Sequence, residues 1–318
     1  MTIAANTIAA EAEAVLDEIG KVVVGRTRTV RLALAAVLAG GHVLLEDVPG
    51  LGKTLIARSL AQALSLEFRR LQCTPDLLPA DVTGSFLYDP GSREFEFHQG
   101  PVFTGLLLAD EINRTPPKTQ SALLEAMQER QVTVEGRTFP LPRPFHVLAT
   151  SNPVEYEGTY PLPEAQLDRF LVRLDIGYPP AEEEIEVLRR RIARQREEAE
   201  VPPVLAPGRL AELQQELERA TVDDDLLRYC VDLAVATRQH PSVEVGASPR
   251  GAQGLVLVAR ALASLDGRGY VTPEDVKECA VAVLAHRLVM KPETWTSGVN
   301  GVQVVTELLG KVPGPPSS

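Results

Sequence analysis

The sequence predicts an α/β fold: a mostly parallel sheet with helices on both faces, followed by an all-helical second domain. Three observations carry this. Short apolar runs alternate with helix-patterned stretches through the first half of the chain. The alternation stops at Tyr178-Pro179-Pro180. Every patterned stretch beyond that point has helical periodicity. A boundary is therefore expected near residue 179, giving segments 1–178 and 179–311. The Pro-, Gly- and Ser-rich stretch 312–318 is expected to be a disordered tail.

The elements follow in order. Residues 10–19 and 29–38 read as helices, separated by the tight segment Val22-Val23-Val24-Gly25. Residues 42–45 form a short apolar run that ends at a Pro-Gly turn, as a parallel strand would. A helix over 53–64 follows. Further strands are expected over 68–72, 105–109, 147–150 and 172–176, with helices over 118–130 and 164–170. Two segments break this rhythm. Residues 85–98 alternate Phe86 and Tyr88, turn at Asp89-Pro90-Gly91, then alternate Phe95 and Phe97, which is a hairpin pattern. Residues 132–141 turn at Glu135-Gly136-Arg137 and read as a second hairpin. Beyond the boundary, helices are expected over 182–197, 210–220, 224–238, 250–265 and 273–286, with start signals such as Thr272-Pro273-Glu274-Asp275.

Composition narrows the function. The chain has 318 residues, 44% hydrophobic and 24% charged, which suits a globular protein with room for two domains. Its net charge of -11 has the wrong sign for coating nucleic acid, where phosphates must be neutralised by Lys and Arg. Cys73, Cys230 and Cys279 are odd in number and far apart, so neither a disulfide framework nor a zinc pattern is expected. They read as small apolar fillers in a reducing compartment. The first twenty residues carry Glu11, Glu13, Asp17 and Glu18 and lack the pattern of a signal peptide. The most apolar run, 32–45, is broken by Gly40, Gly41 and His42 and is too short to span a bilayer. A cytoplasmic location is the expectation.

The chemistry is carried by Asp47-Val48-Pro49-Gly50-Leu51-Gly52-Lys53-Thr54, placed between a strand and a helix. Gly50 and Gly52 let backbone N–H groups converge on a phosphate, and the following helix points its first amides at the same anion. Lys53 supplies a mobile positive charge, and the Thr54 hydroxyl is a hard ligand suited to Mg²⁺. Asp47 stands where this loop usually begins with glycine. The second motif is Gly105-Leu106-Leu107-Leu108-Ala109-Asp110-Glu111, an apolar strand that delivers two acids at its C-terminal end. Adjacent strand residues point opposite ways, so the two acids can divide the work. Asp110 is expected beside the metal with Thr54, and Glu111 is expected to orient the attacking water.

Three later features extend the set. Ala149-Thr150-Ser151-Asn152-Pro153 ends a strand, so Asn152 fits either a polar sensor near the γ-phosphate or a plain turn former. Leu167-Asp168-Arg169-Phe170 offers Arg169 as an arginine finger in trans, or as half of an intrachain ion pair with an acid such as Asp168. Ala247-Ser248-Pro249-Arg250 opens a helix with Ser248 as N-cap. A cation in a helix's first turn is electrostatically unfavourable, which favours an anionic partner for Arg250, reached across the domain cleft.

Taken together, these residues resemble the MoxR family of AAA+ ATPases over roughly 19–313. The resemblance is carried by the run 44–54, by Thr74-Pro75-Asp76-Leu77-Leu78-Pro79, by Ala109-Asp110-Glu111-Ile112-Asn113-Arg114, and by the long run 157–170. The family tolerates Asp at position 47; Ser151 departs from the Gln expected there. The resemblance implies an AAA+ core with a helical lid, ATP and Mg²⁺, and a ring, usually a hexamer. It maps Asn152, Arg169 and Arg250 to sensor 1, the arginine finger and sensor 2. It puts Val24, Gly25 and Tyr178 near the adenine, completing a nucleotide-binding set with Pro49, Gly50, Leu51, Gly52, Lys53, Thr54, Leu55 and Asp110. It makes the two hairpins the helix-2 and pre-sensor-1 insertions. It also implies chaperone-like remodelling of a protein client, often with a von Willebrand factor A domain partner. Competing readings are a magnesium-chelatase-like motor subunit, a nucleic-acid motor and a monomeric small-molecule kinase. Acids interleaved with Arg93 and Arg137 on the hairpins speak against a phosphate-tracking pore.

Overall fold

The computed structural model describes residues 2–315 apart from 49, 153–158, 197–198 and 297. Two helices, α1 (Thr2–Gly20) and α2 (Thr27–Leu38), precede β1 (Val43–Glu46). Then come α3 (Lys53–Ala63), β2 (Phe68–Gln72), α4 (Pro79–Thr83), β3 (Gly84–Asp89), β4 (Glu94–Gln99) and β5 (Leu106–Asp110). Next are α5 (Pro117–Glu129), β6 (Gln131–Val134), β7 (Arg137–Pro140), β8 (His146–Ser151), α6 (Glu164–Leu167) and β9 (Val172–Asp175). The rest is helical apart from one small ladder: α7 (Ala181–Arg194), α8 (Arg209–Leu217), α9 (Asp224–Gln239), β10 (Val243–Val245), α10 (Pro249–Leu265), α11 (Pro273–Leu284), β11 (Val289–Met290) and α12 (Gly301–Lys311).

Five strands form one sheet in the order β2-β5-β8-β1-β9, every pair parallel. Successive side chains point to opposite faces, and the burial follows that parity. Val43, Leu45, Leu106, Leu108, Leu148, Val172 and Leu174 join a core with α1, α2, α3 and the helices after β9. Leu44, Leu107, Ala109, Val147 and Ala149 join a second core with α5 and the bases of the hairpins. Because all five strands run the same way, their C-terminal ends share one rim, where ligands bind in such sheets.

The expected hairpins are β3–β4 and β6–β7, each antiparallel. They lean on one another through Phe86, Phe97 and Phe139; the last two rings stack with centroids 4.0 Å apart. Arg137 sits over the Phe86 ring at 5.2 Å.

Some elements differ from the sequence reading. α1 begins eight residues earlier than expected, and α4, α12 and the β10–β11 ladder were not anticipated. β9 ends at Asp175 and α7 begins at Ala181, and the packing is continuous across this junction: α10 lies against α1 and α2 in a single core. The tail is packed up to Gly314, which lies beside Tyr229 and Pro273, while 316–318 fall outside the described residues. All three cysteines are buried and free, and burial pushes the Cys73 and Cys230 thiols up to about 12. Among the described residues, no helix is long and apolar enough to cross a membrane.

Candidate nucleotide site

The loop after β1 reaches α3 through Gly50 and Gly52, both at φ +85°. That left-handed backbone favours glycine, and the space where a Cβ would stand is open at both positions. Gly52 caps α3, so Lys53 and Thr54 open the helix and its first amides face the loop. Pro49 lies outside the described residues. Leu51 and Leu55 pack against the core and fix the loop's base.

Lys53 is buried and its Nζ donates to two main-chain carbonyls, those of Asp47 and Ser151, the latter at 3.1 Å. Burial lowers its pKa, while Asp47, Asp110, Glu111 and Glu46 oppose that shift. The Lys53 ammonium group is thus held at the sheet rim by these two carbonyls. The departure at Asp47 has a structural reason. Its Oδ1 accepts from Val48 N at 2.7 Å, and its Oδ2 accepts from the backbone N–H groups of Ile176, at 3.0 Å, and Gly177. The carboxylate ties the loop to the segment that follows β9.

That segment is where the adenine residues were expected. Arg26 donates to Gly177 O at 2.6 Å, so Val24 and Gly25 lie beside 175–178. Tyr178 is 73% exposed. Gly25 is at φ +70°, and the Glu183 carboxylate occupies the place a Cβ would need there.

The two acids at the end of β5 are each held from two sides. Thr150, fully buried in β8, donates through Oγ1 to Asp110 Oδ1 at 2.7 Å and accepts from Glu111 N at 2.8 Å. From the other side, Arg70 of β2 donates to Asp110 Oδ2 from both Nε and Nη2, at 3.1 and 2.6 Å. Gln72 donates to Glu111 Oε2 at 2.8 Å, and Arg114 pairs with the same oxygen at 3.0 Å. Glu111 itself is left-handed at φ 59°, a costly conformation for a non-glycine residue. Sequence reasoning missed Thr150, Arg70 and Gln72. The alternation of Arg70 and Gln72 along β2 was the available signal.

Asn152 is buried just past β8. The sheet order places β8 between β1 and β5, hence between Lys53 and the two acids. The carbonyl of Asn152 accepts from Asn113 Nδ2 at 3.1 Å.

Arg169 and Arg250 lie elsewhere. They share a cavity of about 320 Å³ with Gly41, His42, Arg130 and Arg287. Gly41 and His42 precede β1, and Arg169 precedes β9, so this cavity opens at the N-terminal rim of the sheet. Lys53, Asp110 and Glu111 occupy the opposite rim. The expectation that Arg250 reaches the phosphates across a cleft within its own chain is therefore corrected: α10 packs on α1 and α2 and presents its N-terminus to the wrong end of β1. Ser248 does cap α10, accepting from Arg250 N at 3.2 Å. The intrachain pair of Arg169 with Asp168 is absent, because Asp168 accepts from Arg287 at 2.8 Å and from Ser248 at 3.2 Å. Among the described residues the side chains of Arg169 and Arg250 make no ion pair.

Comparison with known proteins adds a family. A model of the ATPase family associated with various cellular activities (AAA) matches residues 42–172, and one of the AAA lid domain matches 235–308. The chain is 49% identical over 300 residues to the uncharacterized protein YeaC of Bacillus subtilis, covering 94% of this chain and 93% of that one. It is 43% identical over 313 residues to the chaperone MoxR1 of Mycobacterium tuberculosis, covering 94% and 81%. A solved structure from Cytophaga hutchinsonii is similar with a TM-score of 0.91 at 42% identity, covering 98% of this chain and 97% of that one.

Proposed function

The chain belongs to the MoxR family of AAA+ ATPases, and from that premise we propose that it assembles into a ring whose ATP hydrolysis remodels or activates a protein partner. In this reading the amides after Gly50 and Gly52 cradle the phosphates, and Lys53 exchanges its two carbonyl partners for phosphate oxygens. Glu111 orients and polarises the attacking water, and Asn152 lies alongside the γ-phosphate. Thr54 and Asp110 offer the hydroxyl and carboxylate oxygens that suit Mg²⁺. When bound, that ion supplies charge neutralisation on the phosphates. Val24, Gly25 and Tyr178 flank the base.

One observation carries the ring. The arginines and the acids lie on opposite rims of one sheet. The four residues of β1 alone separate the two rims by roughly 13 Å. A single chain does not bring both sets to one nucleotide, whereas a neighbour's Arg169 and Arg250 can complete the site. Both arginines therefore act in trans, as one face. A hexamer is the expected closure.

The client is a protein, including the von Willebrand factor A domain type that the resemblance implies. A relative named as a chaperone supports this. So do the hairpins, whose Arg137 is turned onto Phe86 while Glu94 and Glu96 are exposed.

Mixing experiments test the composite site. Lys53→Ala loses nucleotide binding, and Arg169→Ala binds ATP but turns over poorly. Mixed, they regain activity, because the first lends its arginines to the second's intact loop. Arg250→Ala also complements Lys53→Ala. Arg169→Ala mixed with Arg250→Ala gives no recovery, since every arginine face then lacks one member. Recovery in that last mixture would place Arg250 in its own chain's site and refute the shared face.

A further inference from the structure

The helix α7 is inside out. Its sequence is strongly amphipathic, yet it has no buried residue. At 100° per residue Ile185, Leu188 and Ile192 form one stripe. Their exposures are 40%, 62% and 75%, so the stripe points to solvent. The polar face does the anchoring instead. Arg190 donates to the carbonyls of Gly20 and Lys21 at 2.8 Å each, capping the end of α1. Glu183 lies against Gly25. An apolar stripe turned outward while charged side chains are spent inward is the arrangement of a surface that another molecule covers.

We propose that the occupant is a second copy of this chain, and that α7 is the apolar half of the subunit contact on the nucleotide side. The inference rests on the ring reading above. Two features of the chain select a second copy. α7 starts three residues after Tyr178, and Gly177 is tied to the nucleotide loop by Asp47, so the stripe borders the face that must receive a neighbour's arginines. The charges also match. The first turn of α7 carries the exposed Glu182 and Glu184, and the cavity face of the next copy carries Arg130, Arg169 and Arg250.

The test uses the full chain carrying Glu111→Gln, so that ATP stays bound. Sedimentation across a protein concentration series with ATP and Mg²⁺ measures assembly of this parent and of the parent with Leu188→Glu and Ile192→Glu added. Both added positions are exposed, so the far-ultraviolet circular dichroism, the melting temperature and the calorimetric ATP affinity should not change. The inference expects the concentration for half-assembly to rise at least tenfold. Assembly of the substituted protein at the parent's concentrations would overturn the inference while leaving the ring intact, and would assign the stripe to a different partner. A parent that stays monomeric at every concentration would overturn the ring reading and this inference with it. Glu182→Arg with Glu184→Arg gives a second check: weakened assembly at low salt supports the charge match, and unchanged assembly refutes it.

Discussion

Replacing Asp47 by Ala should loosen the junction between the nucleotide loop and the segment after β9, by an amount the structure sets. The carboxylate accepts from Val48, Ile176 and Gly177. Ile176 is only 7% exposed, so its N–H would be left buried without a partner, at a cost of about 1–3 kcal/mol. Gly177 is exposed, and water would replace its bond at a loss of about 0.5–1 kcal/mol. A total of about 1.5–4 kcal/mol corresponds to about a 10- to 900-fold rise in local opening. Hydrogen exchange of the amides at 176 and 177, followed by mass spectrometry, reads this directly. Asp47→Asn keeps one acceptor oxygen and should recover more than half of the protection. Lys53 uses the main-chain carbonyl of residue 47, so nucleotide affinity should fall less than in Lys53→Ala. Exchange at both amides within about threefold of the wild type would refute the anchoring role.

Glu111→Gln should bind ATP with nearly unchanged affinity and hydrolyse it at least about 100-fold more slowly in single-turnover measurements, and a loss smaller than twofold removes Glu111 from the chemistry. Arg70→Ala frees Asp110 from a pair whose arginine is 48% exposed and therefore worth only about 1 kcal/mol. Mn²⁺ affinity in the presence of nucleotide, read by electron paramagnetic resonance, should tighten about fivefold, and no change would rule out competition for that carboxylate. Stability should fall in mild acid. Burial holds the His42 and His146 pKa values at about 3 and about 4, against 6.5 for a free imidazole. Depressed folded values mean the unfolded chain binds more protons. Stability is therefore full above about pH 6.5 and declines toward pH 4, by up to about 1.4 kcal/mol per unit for each histidine. Equal denaturant midpoints at pH 7 and pH 5 would contradict this.

The sequence made legible whatever is local. Lys53-Thr54 follows a strand and opens a helix, and Asp110-Glu111 ends an apolar strand, so pattern alone locates both. The supporting residues depend on which strands are neighbours. Arg70 and Gln72 serve the two acids because β2 pairs with β5 in a register that sets Gln72 opposite Asp110. Thr150 serves them because β8 lies on the other side of β5. Sheet order is set by packing over the whole chain, and no short window contains it. The same limit explains Arg250: its helix start was readable, and the rim it faces was not.

The single hydroxyl of Thr150 has a consequence for how the acids respond to each other. Its O–H donates to Asp110 Oδ1 and its oxygen accepts from the Glu111 N–H, so the two bonds form one chain through one oxygen. Donation to a carboxylate makes that oxygen a better acceptor, and each bond strengthens the other. The two acids are therefore coupled electronically as well as sterically. Whatever draws charge from Asp110, such as an arriving cation, weakens the bond that holds the backbone of Glu111 in its left-handed turn. A change of charge at Asp110 would then reach the backbone of Glu111 through these two bonds, with no rearrangement of the sheet.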